Sequence, residues 1–202
     1  MPNQHYYSNQ PVTGHDRREL ETVLRGSKFK FISDAGVFSK SGVDYGSKVL
    51  IEALEIPSQS TVLDVGCGYG PIGLSVARLA MEGHVTMIDI NSRAVELAKE
   101  NAKLNGISNV TILQSDLFEG VQGKKFDIVI TNPPIRAGKE TVHKIFEQAY
   151  EHLNDRGQLW IVIQKKQGSP SAKAKLESLF SHVEEVTKDK GYRIFKAIKT
   201  SS

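Results

Sequence analysis

Two short stretches of this chain carry residue types able to do chemistry. Thr61-Val-Leu-Asp-Val-Gly-Cys-Gly-Tyr-Gly70 sets an acid, Asp64, just ahead of Gly66, Gly68 and Gly70. Asn132-Pro-Pro-Ile135 sets an amide and two prolines at the end of another apolar run. Glycines let backbone approach a ligand where a Cβ would collide. A carboxylate beside them repels a pyrophosphate and attracts an ammonium group. The Gly-x-Gly-x-Gly spacing also differs from the Gly-x-Gly-x-x-Gly of dinucleotide sites. The pattern fits a ligand with an amino-acid end and no phosphate; its competitor is a purely structural tight turn.

Further acids stand where such a ligand would continue. Asp89, followed by Ile90, closes an apolar run 23 positions after Gly66 and can accept hydrogens from ribose hydroxyls. Asp116, followed by Leu117, can accept a hydrogen bond from an adenine amine while Leu117 lies against the ring. Either acid alone reads as solvated surface; three acids on one rim read as a site. In Asn132-Pro133-Pro134-Ile135, the Asn132 side-chain oxygen and the Pro133 carbonyl can each accept one hydrogen of an –NH₂ group. Proline fixes φ and keeps the turn rigid. An amine conjugated to a ring has a delocalised lone pair, and two acceptors would localise and aim it without a strong base. The alternative is a structural Asn-Pro turn.

Those residues need a frame that brings them to one edge. Apolar, β-branched runs at Val62–Val65, Val85–Asp89, Val110–Leu113, Phe126–Thr131 and Gly157–Ile163 alternate with helical patterns. The helices are expected at Pro71–Met81, Ser92–Asn105 and Thr141–Leu153. Short all-apolar strands between helices imply a parallel sheet covered on both faces. Ala172–Phe180 reads as a short helix, and Val183–Lys188 with Tyr192–Ile198 as a hairpin around Lys190-Gly191. Before the core, Phe29–Ile32 and Val37-Phe38 suggest a small hairpin around Asp34-Ala-Gly36, and Ser47–Leu54 a helix. One domain over residues 1–202 is expected, with an extension at 1–57 and the core at 58–202.

Composition narrows the class. Apolar residues make up 39% and charged residues 24%, ordinary for a globular chain with a sizeable core. No apolar run approaches the length of a membrane span, so no membrane partner is expected. The N-terminus lacks a signal pattern. Cys67 is the only cysteine, which rules out an internal disulfide and fits a reducing cytoplasm; it reads as a small filler of the glycine turn. The six histidines are scattered without ligand spacing, so no metal is expected. A net charge of +3 mildly favours a polyanionic partner.

The motif order and terminal hairpin resemble the class I S-adenosylmethionine-dependent methyltransferases. The resemblance implies an α/β, Rossmann-like fold with a mainly parallel seven-stranded sheet ending in an antiparallel hairpin. It implies S-adenosylmethionine bound by Asp64, Gly66, Cys67, Gly68 and Gly70 near the methionine moiety, with Asp89 and Ile90 at the ribose. Asp116 and Leu117 fall at the adenine, and Asn132 beside the methyl. Asn132 to Ile135 match a motif for methylating exocyclic amines of bases or a glutamine amide. Its fourth position is usually aromatic, and here it is Ile135; Phe38 is a candidate for the missing stacking face. Gly36-Val-Phe-Ser39 with Gly42-Val-Asp-Tyr-Gly-Ser47 is similar to a segment of the RsmC-type ribosomal RNA guanine-N2 methyltransferases. That resemblance implies ribosomal RNA of the small subunit as partner. Arg136 and Lys139 are then candidate RNA contacts. Rival readings are a glutamine N5-methyltransferase, a DNA adenine methyltransferase, a non-catalytic RNA-binding module and a nicotinamide oxidoreductase. Ile135 and the basic excess weigh against the first, chain length against the second, the intact Asn132-Pro-Pro against the third, and Asp64 with the glycine spacing against the last.

Overall fold

A computed structural model of the protein describes residues 16–34 and 42–200. The chain opens with a hairpin, β1 (Arg18–Leu24) and β2 (Ser27–Ser33), then a helix, α1 (Tyr45–Ala53). The core follows as β3 (Thr61–Val65), α2 (Pro71–Leu79), β4 (His84–Asp89), α3 (Ser92–Leu104), β5 (Val110–Gln114) and β6 (Phe126–Thr131). It closes with α4 (Lys139–Glu151), β7 (Leu153–Gln164), α5 (Ser169–Leu179), β8 (His182–Asp189) and β9 (Tyr192–Ile198). Seven strands form one sheet in the order β5-β4-β3-β6-β7-β9-β8. β5 through β7 are parallel, and β9 runs antiparallel between β7 and β8. This is the mainly parallel sheet with an antiparallel terminal hairpin that the sequence implies.

Both faces of the strands are apolar, and alternate residues enter separate cores. Val62, Val85, Met87, Ile128, Ile130 and Trp160 join the side chains of α1, α2 and α3, whereas Leu63, Val65, Ile88, Val129 and Ile161 meet α4 and α5. Asp64 shares the face of Val62 and therefore points beneath α2, the one acid in the middle of an apolar stripe.

The described residues contain an N-terminal hairpin that the sequence did not point to. Phe29–Ile32 lies in β2, which pairs with β1, Phe29 opposite Thr22 and Phe31 opposite Leu20. Val37 and Phe38, the expected partners, fall outside the described residues, as does Phe38 as a candidate stacking face. The turn is Arg25-Gly26, with φ of 52° and 75°, the doubly left-handed geometry of a two-residue hairpin. β1 evades pattern reading because Leu24 is its only buried residue. Buried Asn101 of α3 fixes the hairpin to the core: its amide donates to the Ile32 carbonyl at 3.0 Å and to the Tyr69 carbonyl at 2.8 Å. One side chain thus ties β2 to the glycine turn.

Candidate active site

The strand order reverses between β3 and β6, and open α/β sheets place ligands at such a switch point. Val65 pairs with Thr131, so Gly66 and Asn132 leave adjacent strands at the same level. The Thr131 hydroxyl donates to the Val65 carbonyl at 2.9 Å and fastens the two exits together. The glycine turn and the Asn-Pro-Pro turn therefore face each other because of sheet register alone.

In the glycine turn, Gly66, Gly68 and Gly70 all have positive φ, at 76°, 58° and 112°. The N–H groups of Gly66 and Cys67 both donate to the Ile88 carbonyl, at 2.9 and 3.0 Å. A Cβ at Gly66 would meet no protein atom within 4 Å, because it would project into open space. Cys67 is buried; burial, then the charges of Asp89 and Asp64, push its thiol well above its ordinary range, which leaves it inert as a nucleophile.

Two cavities meet above these turns. The first, of about 310 Å³, is lined by Gly66, Asp89, Ile90, Asp116, Leu117 and Asn132, among others. The second, of about 240 Å³, is lined by Asp44, Ser47, the Gly66–Tyr69 turn, Asn132–Arg136, Gln164, Gln167 and Tyr192. Gly66, Asn132 and Pro134 line both. The structure so brings together every expected cofactor residue except Asp64 and Gly70, which line neither cavity. Gly70 caps α2. Arg136 lines the second cavity, whereas Lys139, exposed at the start of α4, lines neither.

Asp64 is 1% exposed, and its Oδ2 has no hydrogen-bond partner among the described residues. Burial lifts its carboxyl to about 7; a hydrogen bond from the Gly73 N–H pulls it back, and the charge of Asp89 adds to the rise. An uncompensated acid directly under a glycine turn is the environment that a cationic group above the turn would relieve. Asp89 is held by backbone, with Oδ2 accepting from the Gly68 N–H and Oδ1 from the Asn91 N–H, both at 2.9 Å. Leu117 takes a left-handed φ of 49°, and the Ser115 hydroxyl donates to its carbonyl at 2.7 Å. That bond presents Leu117 to the first cavity.

Asn132 makes a contact that the sequence did not predict. Its Nδ2 donates to Asp44 Oδ2 at 2.8 Å and to Ser47 Oγ at 3.1 Å. A carboxylate only accepts, so the amide nitrogen must face Asp44 and the amide oxygen must face away. Among the described residues neither Asn132 Oδ1 nor the Pro133 carbonyl receives a hydrogen bond, whereas the Pro134 carbonyl accepts from Ala137. Ile135 packs onto the core beside α4 rather than standing free. Asp44, Ser47, Gln164, Gln167 and Tyr192 in the second cavity, and Ser115, Thr141 and Lys144 in the first, were not singled out beforehand. Only Asp44 and Ser47 left a sequence signal, through the Gly42–Ser47 segment.

Residues 28–196 match the methyltransferase small domain. The chain belongs to that methyltransferase family. Its fold is the class I methyltransferase fold. The methyltransferase is 55% identical over 198 residues to the uncharacterized protein YbxB of Bacillus subtilis, covering 97% of this chain and 98% of that one. It is 31% identical over 195 residues to ribosomal RNA small subunit methyltransferase C of Escherichia coli, covering 95% of this chain and 55% of the relative. Among solved structures, it superposes on the T. thermophilus 16S rRNA N2 G1207 methyltransferase, RsmC, in complex with AdoMet and guanosine. There the TM-score is 0.81 at 26% identity, with 94% of this chain and 52% of that chain covered. The methyltransferase thus spans about half the length of the E. coli and T. thermophilus proteins.

Proposed function

We propose that the protein transfers a methyl group from S-adenosylmethionine to an exocyclic amine of RNA, guanine N2 of small-subunit ribosomal RNA. The observation that carries this reading is Asn132 standing at the junction of two cavities, with acceptors that can face a substrate amine. The first cavity has a nucleoside's partners: Asp89 for the ribose, and Asp116 with Ile90 and Leu117 for the adenine. Gly66, Cys67 and Gly68 lead from it towards the second cavity, with Gly70 completing the turn and the Asp64 charge beneath, suited to an amino-acid arm bearing an ammonium group. When bound there, S-adenosylmethionine supplies an electrophilic methyl group on a cationic sulfur.

The residues of the chain do the rest by positioning. Asn132 Oδ1 and the Pro133 carbonyl accept the two N–H groups of the amine and turn its lone pair out of the ring plane. Pro134 keeps the turn rigid, with Ile135 anchored in the core behind it. The nitrogen becomes cationic as it gains the methyl group and then gives one proton to solvent. No strong base is needed, because the product ammonium conjugated to a ring is acidic. Tyr192 lines the second cavity and offers the aromatic face that residue 135 lacks. Arg136 at the cavity, with exposed Lys139 at the start of α4 and exposed Lys165 and Lys166 in the turn after β7, supplies phosphate contacts.

The test is transfer of radiolabelled methyl groups to unmethylated small ribosomal subunits, naked ribosomal RNA, release factor and DNA, followed by digestion to nucleosides. Label in N2-methylguanosine is expected. Label in protein would replace this reading with glutamine methylation.

A further inference from the structure

Asp44 lies in the segment before the core, 88 residues from the clamp in sequence, yet it touches the clamp directly. It is the N-cap of α1: Oδ1 accepts from the Gly46 N–H at 3.2 Å and Oδ2 from the Ser47 N–H at 3.1 Å. Oδ2 also accepts from the Ser47 hydroxyl at 2.8 Å and from Asn132 Nδ2 at 2.8 Å. Ser47 Oγ in turn accepts from Asn132 Nδ2 at 3.1 Å. Asp44, Ser47 and Asn132 form a closed triangle in which both carboxylate oxygens and the amide nitrogen are committed. An N-cap needs one side-chain acceptor and no charge, and serine supplies it as well as aspartate. The second half of the carboxylate therefore does something beyond capping.

We infer that Asp44 is a positioning residue for methyl transfer: it locks the Asn132 amide with its oxygen towards the substrate amine and sets a negative charge behind it. The inference rests on the reading of Asn132 as an amine clamp. Without Asp44, the Asn132 amide could turn by a half-rotation and present its NH₂ to the substrate, donor against donor. With it, only the oxygen is offered. The charge has a second effect. During the displacement, positive charge moves from sulfur to the substrate nitrogen, hence towards Asn132. A carboxylate bonded to the far side of that amide polarises its oxygen and favours the charge shift, and being fixed beforehand it costs no reorganisation. Asp44 also lines the second cavity, but its positioning role is exerted through Asn132.

The experiment compares wild type, Asp44→Ser and Asp44→Asn. Serine keeps the cap but is too short to reach Asn132; asparagine keeps an acceptor oxygen but not the charge. Turnover on ribosomal RNA, KM for that RNA, S-adenosylhomocysteine affinity and thermal unfolding are measured for each. Asp44→Ser is expected to fold, to bind S-adenosylhomocysteine and RNA as wild type does, and to lose kcat by about 100-fold. Asp44→Asn is expected to recover part of the loss, standing roughly tenfold below wild type. A purely structural role would lower the unfolding temperature and leave kcat alone. A folded Asp44→Ser with wild-type kcat overturns the inference. Side-chain amide hydrogen exchange of Asn132, assigned by its disappearance in Asn132→Ala, reads the geometry without any substrate. Protection in wild type that vanishes in Asp44→Ser supports the lock even if the RNA assigned above proves wrong. Equal, rapid exchange in both overturns it.

Discussion

At the scale of single residues, the site separates groups held by protein from groups left for a ligand. Asp89 and Asp44 have their oxygens occupied by backbone and side-chain donors, whereas Asp64 keeps one buried oxygen unpaired among the described residues. That difference has a pH signature. With a folded value near 7 against 3.8 for an unperturbed carboxyl, Asp64 stays protonated in the fold where the unfolded chain has already ionised. Its contribution to stability is complete below the unfolded value and is lost as pH rises to the folded one. Asp64→Asn should therefore flatten the fall in unfolding free energy between about pH 4 and 7. A cationic ligand reverses the balance by favouring the ionised acid. Affinity for S-adenosylhomocysteine, which keeps the ammonium group, is expected to rise between about pH 6 and 8 in wild type and to stay flat in Asp64→Asn. Calorimetry in buffers of different ionisation enthalpy would detect the released proton. Equal pH profiles for the two proteins would remove Asp64 from cofactor binding.

At the scale of elements, packing between segments sets the site as much as the motifs do. Gly83, ahead of β4, sits against the residues that lead into β3: an added Cβ would lie 2.1 Å from the Ser60 carbonyl oxygen. Gly83→Ala should cost about 2 kcal/mol, seen as a lower denaturation midpoint at constant m-value. Gly46 in α1 shows the functional counterpart, since its Cβ would fall 2.9 Å from the Tyr192 ring. That ring also packs on Tyr45, whose hydroxyl donates to Asp189, so α1 and the terminal hairpin meet at the wall of the second cavity. Gly46→Ala gains helix propensity worth up to about 1 kcal/mol. It is expected to leave the unfolding temperature near wild type while raising KM for RNA severalfold by displacing Tyr192; an unchanged KM would show that Tyr192 forms no substrate wall. The strands that carry the motifs were legible because β-branched runs buried on both faces have few alternative structures. β1 was not, because a surface strand reading Arg-Glu-Leu-Glu-Thr-Val-Leu, with only Leu24 buried, carries almost no burial signal. Phe29–Ile32 was read correctly as part of a strand, but its pairing with β1 was not foreseen, since strand pairing is a tertiary choice.

At the scale of the whole molecule, the sheet's switch point gathers groups that are remote in sequence. The glycine turn, Asp89, Asp116 and Asn132 could be read beforehand, because each follows a strand and parallel strands present their ends on one rim. Gln164 and Gln167, at and just after the end of β7, stand on the same rim but belong to no motif, whereas Asp44 and Tyr192 reach it through the docking of α1 and the hairpin, a tertiary arrangement that the Gly42–Ser47 segment hints at only for Asp44. The net charge of +3 is modest, so the proposed RNA binding should depend on where the cations sit. Arg136→Gln and Lys166→Gln are each expected to weaken RNA binding and to reduce the slope of log affinity against log salt by about 0.7. An unchanged slope would place the RNA elsewhere on the surface.

The central claim is that Asn132 activates an amine where two cavities meet, and comparing Asn132→Ala with wild type tests it most directly. Single-turnover methyl transfer to small-subunit ribosomal RNA would be measured beside S-adenosylhomocysteine affinity. A fall of at least about 100-fold in the transfer rate, with affinity nearly unchanged, is the predicted result. Full transfer by Asn132→Ala would contradict the account.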